Sequence, residues 1–233
     1  MTDASFFEYG NVEPHAPLLN RLATRRGAGS TVPVLIHGAQ HLVDSTSILV
    51  HVDALRGGDW LYPLDAGARS EVDALEERFD TELGPHARRW VYAQLLPDAK
   101  LVRSLWSRGV PKMQARLVPL IAPLARFLVR RAYRVTPESA RRSLDRVHAV
   151  FTAVEARLSD GREYLVAGRF TAADLTFASL AAPMLLPAEC RAIQPMLDTV
   201  PQVMREEILR MRDTVAGRFA LRLFAEERGR QRH

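Results

Sequence analysis

The chain has 233 residues, 47% of them apolar and 25% charged, with 32 Lys and Arg against 27 Asp and Glu for a formal charge of +5. That composition supports a folded core, and the single Cys190 excludes an internal disulfide framework. All but two of the cations are arginines interleaved with carboxylates, a pattern of solvated helix faces, and no zinc-finger, helix-turn-helix or RNA-recognition signature makes them a nucleic-acid stripe.

In chain order, Phe6 to Val12 reads as a short strand, and Pro17 to Arg25 as a short helix opened by its proline. Thr31 to Val43 carries two β-branched apolar stretches around Gly38, the pattern of a hairpin. Asp44 and Ser45 then open a helix with Ile48, Val52 and Leu55 on one face, and Gly57-Gly58 stops it. Asp59 to Ala66, with Pro63 inside it, reads as a linker.

Every later segment has helical period. Val72, Leu75, Phe79 and Leu83 form one stripe, which Gly84-Pro85 bends or ends. Leu117 to Val129 is the most apolar run, yet it is too short to span a membrane and contains Arg126, so it is expected to be a core helix. Thr136-Pro137 opens a helix whose buried stripe is Leu144, Val147, Phe151, Val154 and Leu158, and Ser159-Asp160-Gly161 closes it. The predicted division is 1–58, 59–66 as linker, and 67–233 as an all-helical domain.

The strongest local signal is Tyr164 to Ala178. Thr171 caps a helix whose third residue is Asp174, while Phe170 and Leu175 stand at the two staple positions. Taken alone, this is a structural device.

These residues also carry a family resemblance. Leu165 to Ala178, with Gly168, Thr171 and Asp174, resembles the capping box of the buried sixth helix in cytosolic glutathione transferases. Val32-Pro33-Val34-Leu35 resembles the cis-proline segment before that family's third strand, and Asp44-Ser45 with Ile48 resembles the pair that opens its third helix. Order and spacing agree from about residue 6 to residue 220. The resemblance implies a thioredoxin-like α/β domain, truncated at its N-terminus, followed by an all-helical C-terminal bundle.

It also implies a chemistry, with glutathione as co-substrate and no metal. Val32 would offer its backbone to the cysteinyl part of glutathione as an added strand, with Pro33 holding that edge open. Ser45, at a helix N-terminus, would take the γ-glutamyl carboxylate, and Asp44 the ammonium. Arg89, Trp90 and Tyr92 would line the pocket for a small hydrophobic electrophile, and two copies would pair as a homodimer. The thiol-activating Tyr, Ser or Cys belongs after the family's first strand, and too few residues precede Val32 to hold that strand and its helix. Ser5 and Tyr9 are not followed by the required helix, so no catalytic residue is assigned. Met1 is then expected to be a misassigned start.

Other constellations carry less. His37 and His41 flank a turn and are expected to be solvated loop histidines, not metal ligands. Gly27-Ala28-Gly29-Ser30 lacks the ending of a phosphate loop. Cys190 reads as packing or surface, and Glu226 to His233 as a solvated end. The start Met1-Thr2-Asp3 has no secretory signal, which makes the expected location cytoplasmic, with no membrane partner. The expected activity is conjugation of glutathione to small electrophiles. The alternatives are a non-catalytic module of the same fold and, more weakly, a small-molecule carrier.

Overall fold

The computed structural model describes residues 33–38, 40–107, 112–191 and 194–228, with the side chains of 112–115 left aside. The expected strand at 6–12, the helix at 17–25, Gly27 to Ser30, Ser5, Tyr9 and Val32 lie outside the described residues. The chain forms two compact units, Met1–Val72 and Asp73–His233.

In the first unit, β1 (Leu35–His37) and β2 (Gln40–Leu42) pair antiparallel, with Leu35 opposite Leu42 and His37 opposite Gln40. Gly38 makes the turn at φ +58°, a backbone region that only glycine enters without penalty. Helix α1 (Ser45–Leu55) follows, capped by Asp44, whose carboxylate accepts the Ser47 N–H at 3.0 Å. It ends at Arg56, and Gly57 and Gly58 follow with positive φ.

Two details differ from the expected pattern. Ile48 and Val52 are half-buried but Leu55 is exposed, and the buried residue of α1 is Asp53. Its Oδ1 accepts the N–H of Trp60 at 3.0 Å and of Leu61 at 2.5 Å, which ties down the following segment where Leu61, Tyr62 and Pro63 are all buried. Asp53→Ala would orphan two backbone donors, at about 1–3 kcal/mol for each buried one. The expected outcome is faster amide exchange at Trp60 and Leu61 than in the parent, read by hydrogen exchange.

His37 is likewise not a solvated loop residue. It lies half-buried in β1, its Nδ1 2.9 Å from Nε2 of His51 on α1, with the rings edge to face. The turn is shorter than the sequence suggested, so the histidine falls inside the strand. His41 is half-buried in β2.

Helix α2 (Ala66–Arg78) runs through a π-helical turn (Phe79–Leu83) into α3 (Gly84–Leu95). Gly84-Pro85 thus neither ends the helix nor breaks it. The wider π turn comes directly before the proline, whose ring and missing N–H disrupt a regular α-ladder. Val72, Phe79 and Leu83 are buried as the stripe requires.

Then come α4 (Ala99–Trp106), α5 (Lys112–Ala132), α6 (Pro137–Leu158), α7 (Ala172–Leu185), α8 (Gln202–Asp213) and α9 (Val215–Glu226). Helix α6 starts at a reciprocal cap between Thr136 and Ser139 and buries Val147, Phe151, Val154 and Leu158, as its period predicts. In the bundle core, Phe177 of α7 meets Phe79, Phe151 and Phe219 at ring-centroid distances of 5.2, 5.4 and 6.1 Å. One aromatic cluster therefore joins the π turn, α6, α7 and α9, each such pair adding about 0.5–1.5 kcal/mol beyond its buried area. Glu207, 5% exposed, bonds His148 across α6 and α8 at 2.7 Å and pairs with Arg210.

The largest departure concerns Leu117 to Val129. It lies within α5, but only Val118 and Ala122 of its central turns are buried, while Leu117, Leu120, Ile121, Leu124, Phe127 and Leu128 are exposed. An all-round apolar helix gives the sequence no clue to its inward face, so full burial was the natural reading. The inward stripe is instead small and partly cationic: Arg126 donates to the carbonyls of Leu96 and Pro97 at the end of α3. No helix among the described residues is long and apolar enough to cross a membrane.

Cys190 closes a 3-10 turn, buried, and accepts a hydrogen bond from Arg228 at 3.2 Å. Glu227 accepts the Tyr164 hydroxyl at 2.7 Å. The chain end is thus anchored as far as Arg228.

Candidate functional site

Two places bring predicted site residues together, one in each unit. In the α/β unit, Pro33 is exposed just before β1, and Asp44 and Ser45 are exposed just after β2. Continuing the register of Leu35 with Leu42 outward carries Pro33 and Asp44 to the same end of the ribbon. The first N–H groups of α1 have no partner within their own helix, and an eleven-residue helix presents a positive end there. Asp44 serves as cap to Ser47, while its charge stands beside that end. A carboxylate next to a helix start sets negative and positive potential side by side.

In the helical unit, Trp90 and Tyr92 of α3 line a cleft of about 710 Å³, closed by Arg126, Phe127 and Arg130 of α5 and by the start of α6. Tyr92 is packed 5.0 Å from the Tyr133 ring, and burial, with Tyr133 adding to it, raises its hydroxyl to about 12. It stays a protonated donor throughout the physiological range.

Arg89 does not join them. Its Nε donates to the Tyr133 carbonyl at 2.9 Å and its Nη1 to the Ser143 hydroxyl at 3.0 Å, so it fastens α3 to the bundle. Beside it His86 lies 3.1 Å from Ser143, and burial first, then Arg89, lowers its pKa. The residues that sequence reasoning missed are Arg130 and Arg141 of the cleft rim, together with Arg126 in the role it plays there. Their one available signal was the Arg126–Arg130 spacing of four, which puts two cations on one helix face.

Thr171 and Asp174 form the predicted box at the start of α7. Asp174 accepts the N–H of Leu165, the N–H of Thr171 and the Thr171 hydroxyl, all at 2.8 Å. Both residues are fully buried. Burial raises the carboxyl to about 6 despite those donors, which pull the other way. Among the described residues, no group of three or more His, Cys, Asp or Glu is placed to hold a metal ion.

Residues 137–198 match the family model for the glutathione S-transferase C-terminal domain. No curated protein matches the sequence at a significant level. Among solved structures, the β-etherase LigF from Sphingobium sp. strain SYK-6 is similar with a TM-score of 0.52 at 17% identity, covering 90% of this chain and 83% of that one. Glutathione transferase F2 from Populus trichocarpa gives 0.45 at 17% identity over 84% of this chain and 76% of its own. Ure2p5 from Phanerochaete chrysosporium, cocrystallised with 1-(S-glutathionyl)-2,4-dinitrobenzene, gives 0.46 at 16% over 95% and 94%.

The hairpin and α1 are a partial thioredoxin-like piece, and α2 to α9 are a helical bundle of the glutathione transferase type. Residues 137–198 thus resemble that family's C-terminal domain, and the chain shares its fold with the β-etherase LigF.

Proposed function

We propose that the chain binds glutathione at the hairpin and the start of α1, and transfers its thiolate to a small hydrophobic electrophile. In this reading Val32 and Pro33 supply the strand edge for the cysteinyl part, Ser45 takes the γ-glutamyl carboxylate and Asp44 the ammonium. Trp90 and Tyr92 face the electrophile. The protein acts as a cytoplasmic homodimer. The observation that supports the reading is the hairpin register, Leu35 opposite Leu42, which continued outward leads Pro33 and the Asp44 cap toward the same end of the ribbon.

A non-catalytic glutathione-binding module is the second reading. It is favoured by the lack of any Tyr, Ser or Cys assigned by the resemblance to lower the thiol from its usual value of about 8.5.

Retention on immobilised glutathione, followed by turnover of a nitroaryl chloride, separates the two readings. Conjugation with retention supports the enzyme, and retention without turnover supports the module. Ser45→Ala removes the hydroxyl that would join the backbone N–H on the carboxylate, and is expected to weaken glutathione binding about tenfold or more, the scale of one hydrogen bond to a charged group. Unchanged retention in that variant, or no retention by the parent, removes the assigned site.

A further inference from the structure

Helix α5 turns a large apolar face to solvent. Leu117, Leu120, Ile121, Leu124, Phe127 and Leu128 are between 53% and 78% exposed. By the α-helical repeat they fall within an arc of roughly 120°, opposite the buried Val118 and Ala122, and so form one continuous stripe instead of scattered single residues. Of the six, only Phe127 also lines the cleft. The other side of the helix is held in place: Val129 packs on the small cluster of Leu96, Val102 and Val135, and Arg126 donates to the Leu96 carbonyl at 2.9 Å. The charge around the stripe has one sign. Between Asp98 and Glu138 the sequence has nine Lys or Arg and no Asp or Glu, against a formal charge of +5 for the whole chain, so the remainder is net negative. Asp98 is occupied as the cap of α4, and Glu138 stands at the start of α6 beside Arg141 and Arg142. Arg116 borders the stripe at its N-terminal end, Arg131 lies one turn beyond Phe127 and Leu128, and both are exposed.

We infer that this face of α5 docks on the surface of an anionic lipid bilayer, its leucines at the boundary of headgroups and acyl chains and its flanking arginines among the lipid phosphates and carboxylates. An apolar stripe and a one-signed basic border are two demands that such a surface meets together. Lying in the interface requires neither a secretory signal nor the length of a span, the two features whose lack led to the expectation of no membrane partner. A second copy of the chain fits less well, because two-fold pairing of this face would set one basic segment against its like. Protein interfaces draw most of their binding energy from Trp, Tyr and Arg anchors, with Leu under-represented. The stripe is instead five aliphatic residues and one Phe, with no hydrogen-bonding side chain among them. The surface belongs to the helical unit alone and is independent of the glutathione reading above.

The test is co-flotation of the full chain with vesicles of phosphatidylcholine alone and of phosphatidylcholine containing about 30% phosphatidylserine. Binding to the anionic vesicles is expected to be at least about tenfold tighter, and to weaken as salt is raised. Leu120→Ser with Leu124→Ser, at side chains already in water in the free chain, is expected to weaken it about tenfold or more while leaving the thermal midpoint unchanged. Arg116→Gln with Arg131→Gln is expected to weaken binding to the anionic vesicles about tenfold, and to the neutral ones less than about twofold. Val203→Ser, at an equally exposed apolar position on α8, is expected to change neither. Equal affinity for the two vesicles, either double variant within about twofold of the parent on the anionic ones, or a loss of the same size in Val203→Ser overturns the proposal. Self-association that disappears in the leucine variant, without vesicle binding, would assign the face to a second copy; binding to polyglutamate but not to vesicles would assign it to an acidic protein. Either result overturns the lipid assignment. Intact vesicle binding in a chain that fails to bind glutathione would overturn the glutathione reading alone.

Discussion

Asp174→Ala is expected to destabilise the helical unit by about 3–5 kcal/mol and to lower its thermal midpoint by roughly 10 °C or more. The residue has no solvent exposure, and its carboxylate receives two backbone N–H groups and the Thr171 hydroxyl. Alanine would leave both N–H groups buried without acceptors, at about 1–3 kcal/mol each, and would remove the cap of the helix that carries Phe177. Against a typical net stability of about 5–15 kcal/mol, that loss is severe. Chemical denaturation of parent and variant measures it, and a difference below about 1 kcal/mol would show that water or a shifted backbone replaces the carboxylate.

The same group imposes a pH dependence whose sign can be worked out. Burial raises its folded value to about 6, above the ordinary value of 3.8, so the folded chain binds the proton more tightly than the unfolded one. Its contribution is therefore most favourable below about pH 4, declines as pH rises through about 6, and is constant above that. Asp174→Asn removes the titration. The stability difference between parent and Asn variant is expected to shift against the parent by on the order of 2–3 kcal/mol between pH 4 and pH 7.

Gly217→Ala is expected to be the other severe change. Helix α9 begins directly where α8 ends, with Thr214 as the single joining residue and its hydroxyl accepting the Gly217 N–H at 2.9 Å. A Cβ at 217 would stand 1.9 Å from the Met211 carbonyl oxygen and 3.1 Å from the Arg212 Cα. These are backbone atoms, which cannot rotate away as a side chain would, so the two helices must separate. Because Ala216, Phe219 and Ala220 are buried on the same helix, separation disturbs the core as well. The expected cost is about 2–4 kcal/mol, where alanine in an unobstructed helix would have gained about 0.5–1 over glycine. A thermal melt in which the alanine variant matches the parent would mean that this junction yields at little cost.

What the sequence made legible was local. Gly38 at the hairpin turn, Asp44 and Thr136 as caps and the Thr171–Asp174 box each depend on residues within a few positions of one another, and each is found where its chemistry requires. The illegible parts depend on distant partners. Asp53 looks like a polar helix position until the backbone of Trp60 and Leu61 turns back onto it. Helix α5 looks like core because nothing in an all-round apolar run marks its inward face, and that face is set by the end of α3 about thirty residues earlier. The Arg126, Arg130 and Arg141 rim was hidden for the same reason: two arginines lie on one helix, the third on the next, and only the fold assembles them. Pro33, Asp44 and Ser45 were proposed for glutathione through resemblance, and Arg89, expected in the substrate pocket, is bound to Tyr133 and Ser143.

Amide chemical shifts of the labelled chain, followed while glutathione is added, test the proposed peptide site most directly. Saturable shifts concentrated in Leu35 to Leu42 and Ser45 to Ser47, and weakened by Ser45→Ala, are the expected result. Amides there that stay still at millimolar glutathione, or that move only within α6 to α9, would contradict it.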